Sequence, residues 1–380
     1  MKLHTLSSVV KRRQVIEKIT NVSLPHIGTY SLDENIASTR HCENMIGVTQ
    51  VPLGIAGPLR INKREYYIPL STTEGALVAS VNRGCKAILE SGGAIVDSYY
   101  VGSSRGPVFY VKNLQESDRL NTFVETHLKE MQKIVCTTSS HISLTKTFSR
   151  GVGQYRYIRF IYDTKDAMGL NMVTIATDKI THFIEEKTGI SCIALSGNYC
   201  VDKKPSWLNM IEGRGSKVWA EAVIPQNVLQ QTLKTTAQKM YDVWLSKCVM
   251  GSIMSGSMAY NAQYANVLAA LFLATGQDIA HIAECSVGVT TAEVRGKNLY
   301  MSVYLPDLMV GTVGGGTELA TQKEALTLLG VHGGNDGKNK KQFVEIVGAS
   351  VLAGEISLLA SLSEGSLSKA HQKFARGKIT

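Results

Sequence analysis

Pro107-Val108-Phe109-Tyr110-Val111 opens the stretch that decides the fold, and Ile190-Ser191-Cys192-Ile193-Ala194-Leu195 closes it. Pro107 to Val111 reads as a strand. Ser117 to Ile134 reads as one helix, with Leu120, Phe123, Val124, Leu128 and Met131 on one face. Ile142 to Thr147 and Tyr155 to Tyr162 alternate like strands and are joined through Gly151-Val152-Gly153. Asn171 to Thr188 reads as a helix and Ile190 to Leu195 as the last strand. Strand-helix-strand-strand-helix-strand is the split β-α-β, or ferredoxin-like, pattern. It predicts a compact domain at 107–195, inserted into a larger one.

Outward from this block, residues 1–24 form a polar helical lead-in. Val10, Ile16 and Ile19 lie at helical spacing, and Pro25 and Gly28 end it. Residues 25–106 and 196–380 then make a large mixed helical and β domain, so the fold class is α+β. Within it, Tyr66 to Pro69 is strand-like. Glu74 to Ser91 is a helix with Thr72 or Thr73 as N-cap and a carboxylate in its first turn. Gln226 to Met250 is a long helix followed by a small-residue turn, Gly251 to Gly256. Asn261 to Thr275 is helical and Leu299 to Leu305 strand-like. Glu318 to Leu329 is a helix launched from a glycine-rich loop, and residues 341–370 are mostly helical.

The 380 residues are 44% hydrophobic and 19% charged, enough for two or three domains with a sizeable core. Lys and Arg outnumber Asp and Glu by 40 to 31. This scattered excess suits small polyanions such as nucleotides and coenzyme A. No zinc finger, aromatic single-strand platform or long basic helix is present, which argues against nucleic acid. Seven cysteines occur singly without a C-x-x-C pair, as in a reducing compartment. The charged N-terminus is not a signal peptide. No uncharged apolar run approaches the ~18 residues that span a bilayer. The expectation is a cytoplasmic protein with no membrane partner.

Ser196-Gly197-Asn198-Tyr199-Cys200-Val201-Asp202-Lys203-Lys204-Pro205 sets two ammonium groups beside a carboxylate, between a turn-forming Gly-Asn pair and a proline. A compact ammonium suits an oxygen that turns negative during reaction. Gly311-Thr312-Val313-Gly314-Gly315-Gly316-Thr317 follows a strand and opens a helix, where backbone amides can meet a phosphate. A tight structural turn fits that loop equally well. Asp166-Ala167-Met168-Gly169-Leu170-Asn171-Met172 suits either a ligand contact or a helix cap. Glu74 lies at a helix start. Partial desolvation would let it donate a proton near neutrality. Asp278 sits at a helix C-terminus, where an acid opposes the dipole. His371 lies in a basic tail and could protonate a leaving group. Asp278, His281 and Glu284 share a helical face, but no second cluster supports a metal, and none is expected.

Taken together these motifs resemble the 3-hydroxy-3-methylglutaryl-coenzyme A (HMG-CoA) reductase family, in particular its class I branch. The matching segments are Glu43–Gly47, Pro52–Leu59, Thr72–Gly75, Ala79–Cys85, Arg105–Pro107, Asp166–Met172, Ser196–Pro205, Tyr260–Ala262, Gly276–Asp278 and Gly311–Thr317. They cover nearly the whole chain beyond the lead-in, in the family's order.

The resemblance implies two hydride transfers from NADPH, with NADH possible, reducing the HMG-CoA thioester to mevalonate and releasing coenzyme A. By resemblance, Lys203 stabilises the oxyanion, Glu74 donates a proton, Asp278 holds the lysine charged, and His371 protonates the departing thiolate. Arg105, Ser196, Asp202, Lys204, Asn261 and Leu358 match the acyl site. Ser80, Asn82, Arg83 and Lys234 match positions near coenzyme A. Ser139, Asp166, Met168, Gly169, Leu170, Asn171, Val313, Gly314, Gly315 and Thr317 match the nicotinamide cofactor site, placed on the inserted domain and the glycine loop. The family's site forms between two protomers, which implies a homodimer at least and, for class I, a homotetramer.

Three positions depart from the pattern. Ser140 follows Ser139 where an Arg for the adenosine 2′-phosphate is usual, which leaves NADPH against NADH open. Gln263 replaces a usual His, and Gly377 a phosphorylatable Ser. Two other readings compete. One is a coenzyme A-linked thiolase or acyltransferase with Cys85 or Cys200 as nucleophile. The other is a non-enzymatic nucleotide-binding regulator.

Overall fold

The computed structural model describes residues 3–365 other than Ser7. Among the described residues ten strands order the α+β fold: β1 Leu53–Ile61, β2 Arg64–Ser71, β3 Ile95–Arg105, β4 Val108–Tyr110, β5 Ser143–Val152, β6 Tyr155–Asp163, β7 Cys192–Ala194, β8 Arg214–Ile224, β9 Val289–Arg295 and β10 Asn298–Leu308. β1 and β2 form a separate hairpin. The others make one sheet in the order β7-β4-β6-β3-β8-β10-β9, with β5 against β6. Within the 107–195 stretch, β7-β4, β4-β6 and β6-β5 all pair antiparallel. β3 continues from this part of the sheet into the rest. Its end, Ser103–Arg105, pairs with β6, and its earlier residues pair with β8.

Two hydrophobic clusters flank the sheet. One lies wholly within residues 109–190 and packs Leu120, Val124, Met131, Val173, Ile180 and Ile184 against Phe109, Ile158 and Phe160. The other centres on the helix Lys338–Glu364 and takes in Val81, Cys85, Val218, Leu271 and Val303. By length and composition that 27-residue helix could cross a membrane, but 89% of its apolar window is buried in the protein. Burying each large aliphatic side chain contributes ~1.5–3 kcal/mol, which fixes it as a core helix here. Its Glu355, fully buried, accepts from the amides of Ala262 and Gln263 at 2.9 and 2.7 Å. Those two bonds precede the helix Tyr264–Thr275.

Several local expectations change. The single helix over Ser117–Ile134 is two, Leu114–Thr126 and Leu128–Cys136. Thr126 Oγ1 donates back to Thr122 O at 2.7 Å, a bond that bends helices. The long helix over Gln226–Met250 breaks after Gln231, where Lys234 takes φ +58°. Thr236 then caps a new helix, Ala237–Trp244. Residues expected to turn at 251–256 remain helical to Ser255. The helix expected from Glu74 begins at Leu77. Thr72 Oγ1 instead accepts from the Glu74 amide at 2.9 Å in a turn, so Glu74 precedes the helix.

Candidate functional site

The loop Ser196–Pro205 holds Lys203 through backbone that few residues adopt. Asn198, Val201 and Lys203 have φ of 62°, 51° and 58°. Left-handed backbone at a β-branched valine is costly and persists only where the surroundings impose it. A buried polar network does so. Asp202 Oδ1 meets Arg214 at 2.9 Å, and Asp202 Oδ2 lies 3.8 Å from Arg105. Arg214 also grips both oxygens of Glu284, at 2.7 and 2.8 Å. Glu284 Oε1 accepts the Lys203 amide at 3.1 Å. Asn209 donates to Val201 O at 3.2 Å, to Glu284 at 3.3 Å and to Asp307 at 2.6 Å.

Burial alone would raise the Glu284 carboxyl. The bond to His281 and the charge of Arg214 outweigh it and hold the group down at about 2. Asp307, fully buried beside Glu284, is pushed well up by that burial and by its neighbour's charge. Arg214 is held more firmly charged by Glu284, Asp307 and Asp202 despite its burial.

Lys203 Nζ lies 2.7 Å from Asp278 Oδ2, with both side chains 39% exposed. Gly276 ends the helix Tyr264–Thr275 in the left-handed conformation, so Asp278 no longer belongs to it. Instead Asp278 Oδ1 caps the following short turn through the Ala280 amide at 3.1 Å. The expected clash with a helix dipole is therefore absent. Partial burial pushes the Asp278 carboxyl up, but the Lys203 hydrogen bond and the His281 charge bring it below the ordinary aspartate range.

The glycine loop is tied to this pair and to the 166–172 segment. Gln277 exchanges two hydrogen bonds with the Gly311 backbone, at 3.0 and 2.9 Å. Gly276 and Gly316 pack so closely that a Cβ on Gly276 would lie 2.3 Å from Gly316 O. On its other side, Thr312 N–H donates to Asp166 O at 2.8 Å, and Val313 bridges to Ala167. Gly314 and Gly315 have φ of +74° and +57° with open space before them. Gly169 starts the helix Leu170–Thr188 without a side-chain cap. Asn171 is exposed there and Thr317 buried. The Asp166 carboxylate, itself buried, accepts from the amides of Asn335, Gly337 and Lys340 at 2.6, 2.8 and 3.0 Å. It thus anchors the start of the helix Lys338–Glu364.

The remaining site residues stand as follows. Lys204 is exposed and donates to Asp202 O at 3.1 Å, and Ser196 lies 3.6 Å from the Cys200 thiol. Asn261 donates to Ser286 O at 3.0 Å. Ser80 and Arg83 meet the helix Lys338–Glu364, at Ser357 Oγ, 3.0 and 3.1 Å, one residue before Leu358. Asn82 accepts the Gly57 amide at 2.9 Å. Lys234 is exposed, next to Thr235, which bonds Ser363 at 2.7 Å. Ser139 accepts the His141 amide at 3.1 Å. Gln263 donates to Gly354 O at 2.6 Å. Glu74 is exposed and makes no side-chain bond to Lys203 or Asp278. His371 and Gly377 lie outside the described residues.

Sequence reasoning missed Arg214, Asn209 and Asp307, whose importance comes only from burial. Asp202, His281 and Glu284 place ligand-type atoms within 4.8 Å of one another, but both carboxylates already bind Arg214. The cysteine alternative fares poorly. Cys85 is fully buried, which pushes its thiol up to about 12. Neither Cys85 nor Cys200 bonds a histidine among the described residues.

Comparison with known proteins shows the family. Residues 8–376 match the family model of hydroxymethylglutaryl-coenzyme A reductase. The chain is 48% identical over 375 residues to the 3-hydroxy-3-methylglutaryl-coenzyme A reductase of Methanocaldococcus jannaschii, covering 96% of this chain and 92% of that protein. It is 47% identical to that of Pyrococcus abyssi, over 96% and 91%. Its fold matches a class II 3-hydroxy-3-methylglutaryl-CoA reductase from Streptococcus pneumoniae bound to NADPH in open conformations. The TM-score is 0.71 at 18% identity, covering 95% of this chain and 98% of that one. The chain therefore belongs to the hydroxymethylglutaryl-coenzyme A reductase family.

Proposed function

We propose that the protein converts (S)-HMG-CoA to (R)-mevalonate and free coenzyme A with two NADPH, in the mevalonate route to isoprenoids. The observation that carries this is the Lys203–Asp278 pair, joined through Gln277 to the glycine loop. The open backbone at Gly314 and Gly315 and the uncapped helix start at Gly169 fit a dinucleotide phosphate. Val313, Gly314, Gly315 and Thr317 on one side, and Met168, Gly169, Leu170 and Asn171 on the other, would hold it. Asp166 would act by fixing that segment. When bound, NADPH supplies the hydrides.

The chain's own residues supply charge and protons. Lys203 stabilises the oxygen that becomes negative when the carbonyl is reduced. Asp278 keeps that ammonium charged and aimed. Arg105, with Lys204, holds the substrate's terminal carboxylate. Glu74 is the proton donor, and His371 protonates the departing thiolate.

The pair stands 39% exposed, while a carboxylic acid that donates near neutrality needs a drier setting. Ser80 and Arg83 bond the helix Lys338–Glu364 at Ser357, next to Leu358, and not the pair. They cluster where Glu355 meets the start of the helix Tyr264–Thr275, and Asp278 follows its end. Twelve helical residues span about 18 Å. Both facts favour a site completed by a second copy, with Glu74 and the coenzyme A residues of one protomer facing Lys203 of its partner. The assembly is then a homodimer or a homotetramer of such dimers. Residues 107–195 would serve as an inserted ferredoxin-like cofactor domain within 25–106 and 196–380, and the protein would work in the cytoplasm. Following NADPH, then NADH, absorbance with HMG-CoA tests the reading. Oxidation of two cofactors per coenzyme A released supports it, and no oxidation with either refutes it.

A further inference from the structure

His281 has no part in the chemistry assigned above, yet it lies under the Lys203–Asp278 pair. The ring is fully buried. Its Nδ1 donates to Glu284. Its Nε2 has no hydrogen-bond partner among the described residues. That nitrogen faces Asp278 Oδ2 at 3.7 Å and Asp202 Oδ1 at 3.9 Å.

A buried nitrogen left unpaired costs ~1–3 kcal/mol, so it needs a reason. Asp202 Oδ1 is already satisfied by Arg214. Asp278 Oδ1 is taken by the Ala280 amide. Asp278 Oδ2 is the oxygen that aims the Lys203 ammonium at the substrate. Glu284, charged and clamped by Arg214, fixes the ring so that Nε2 points at that oxygen.

We propose that His281, donating from both ring nitrogens, is a positioning residue whose Nε2–H closes on Asp278 Oδ2 and shares it with Lys203 when the ammonium engages the substrate oxyanion. The 3.7 Å separation needs to shorten by less than one ångström to reach hydrogen-bond length. Asp278 then stays ionised and in place while the ammonium, with three N–H donors, holds both it and the oxyanion. The charged groups around the ring are Asp278, Asp202, Glu284, Arg214 and Lys203. The role rests on the reductase reading given above.

Two amide replacements separate this role from a purely structural one. In His281→Gln the amide nitrogen occupies about the place of Nε2 and reaches Asp278. In His281→Asn it occupies about the place of Nδ1 and reaches only Glu284. kcat and KM for NADPH oxidation with HMG-CoA are measured for each, with thermal unfolding. The expected result is a kcat reduced at least about tenfold in His281→Asn, with KM nearly unchanged and less loss in His281→Gln. Gln better than Asn in kcat, whatever the order in stability, supports the inference. Asn equal to or better than Gln in kcat overturns it and leaves His281 as a prop for Glu284. Should both variants fail to fold, His281→Ala assayed with added imidazole decides: recovery of kcat supports the inference, and none overturns it. Absence of oxidation by the wild-type protein overturns the proposed function instead.

Discussion

At the residue scale the chemistry rests on a few charges whose settings differ. Lys203 is partly exposed and among the described residues its side chain bonds Asp278 alone, so Lys203→Ala should fold normally. Loss of an oxyanion-stabilising group lowers kcat by at least about 10²–10³-fold. Arg214 is the opposite case, fully buried between two carboxylates. Arg214→Met leaves buried charges unpaired and should cost ~3–5 kcal/mol in denaturant unfolding. Glu284 also sets a pH dependence. Its folded value of about 2 lies below the ~4.3 of an unfolded chain. The unfolded state thus takes up the proton first. The stabilisation is complete above about 4.3 and is lost as pH falls toward about 2. Asp307 is raised by burial and by the Glu284 charge and works in the opposite sense, so the difference between wild type and Glu284→Gln reads Glu284 together with its effect on Asp307. That difference should shrink across this acid window, and a constant gap would contradict the assignment.

At the element scale the glycine loop depends on one contact between backbones. Gly276 ends a helix at φ +69° and touches Gly316. Gly276→Ala should cost ~1–2 kcal/mol through the left-handed backbone. It should also displace the loop and raise the KM for NADPH by about tenfold or more. An unchanged KM would detach the loop from cofactor binding. Asp166 supports the same loop while capping the helix Lys338–Glu364. Elements with a strong period were legible in the chain. The strands around Gly151–Gly153 and the helix over Asn171–Thr188 needed only alternation or helical spacing. Breaks were not legible. Nothing in residues 226–250 announces that Lys234 turns left-handed, because Thr236 is a cap only once the chain has broken.

At the scale of the whole molecule, what was legible was the set of motifs. What was not legible was their support. Lys203, Asp278 and the two glycine-bearing segments can be picked out as turn chemistry beside charge. Arg214 reads as an ordinary strand residue, and only the folded sheet places it between Asp202 and Glu284. Glu74 makes no bond to Lys203 among the described residues, and the proposed function therefore pairs it with a second copy. Mixing inactive Glu74→Gln and Lys203→Ala proteins under exchange conditions should restore about a quarter of wild-type activity, since mixed dimers keep one intact site. No recovery, with exchange verified, would place both residues in one protomer.

The most direct test of the account is the turnover of Lys203→Ala against wild type, with NADPH and either HMG-CoA or free mevaldehyde. An ammonium serving both developing oxyanions predicts loss of both reductions with normal unfolding and undiminished NADPH binding. Full activity of the variant toward either substrate would contradict it.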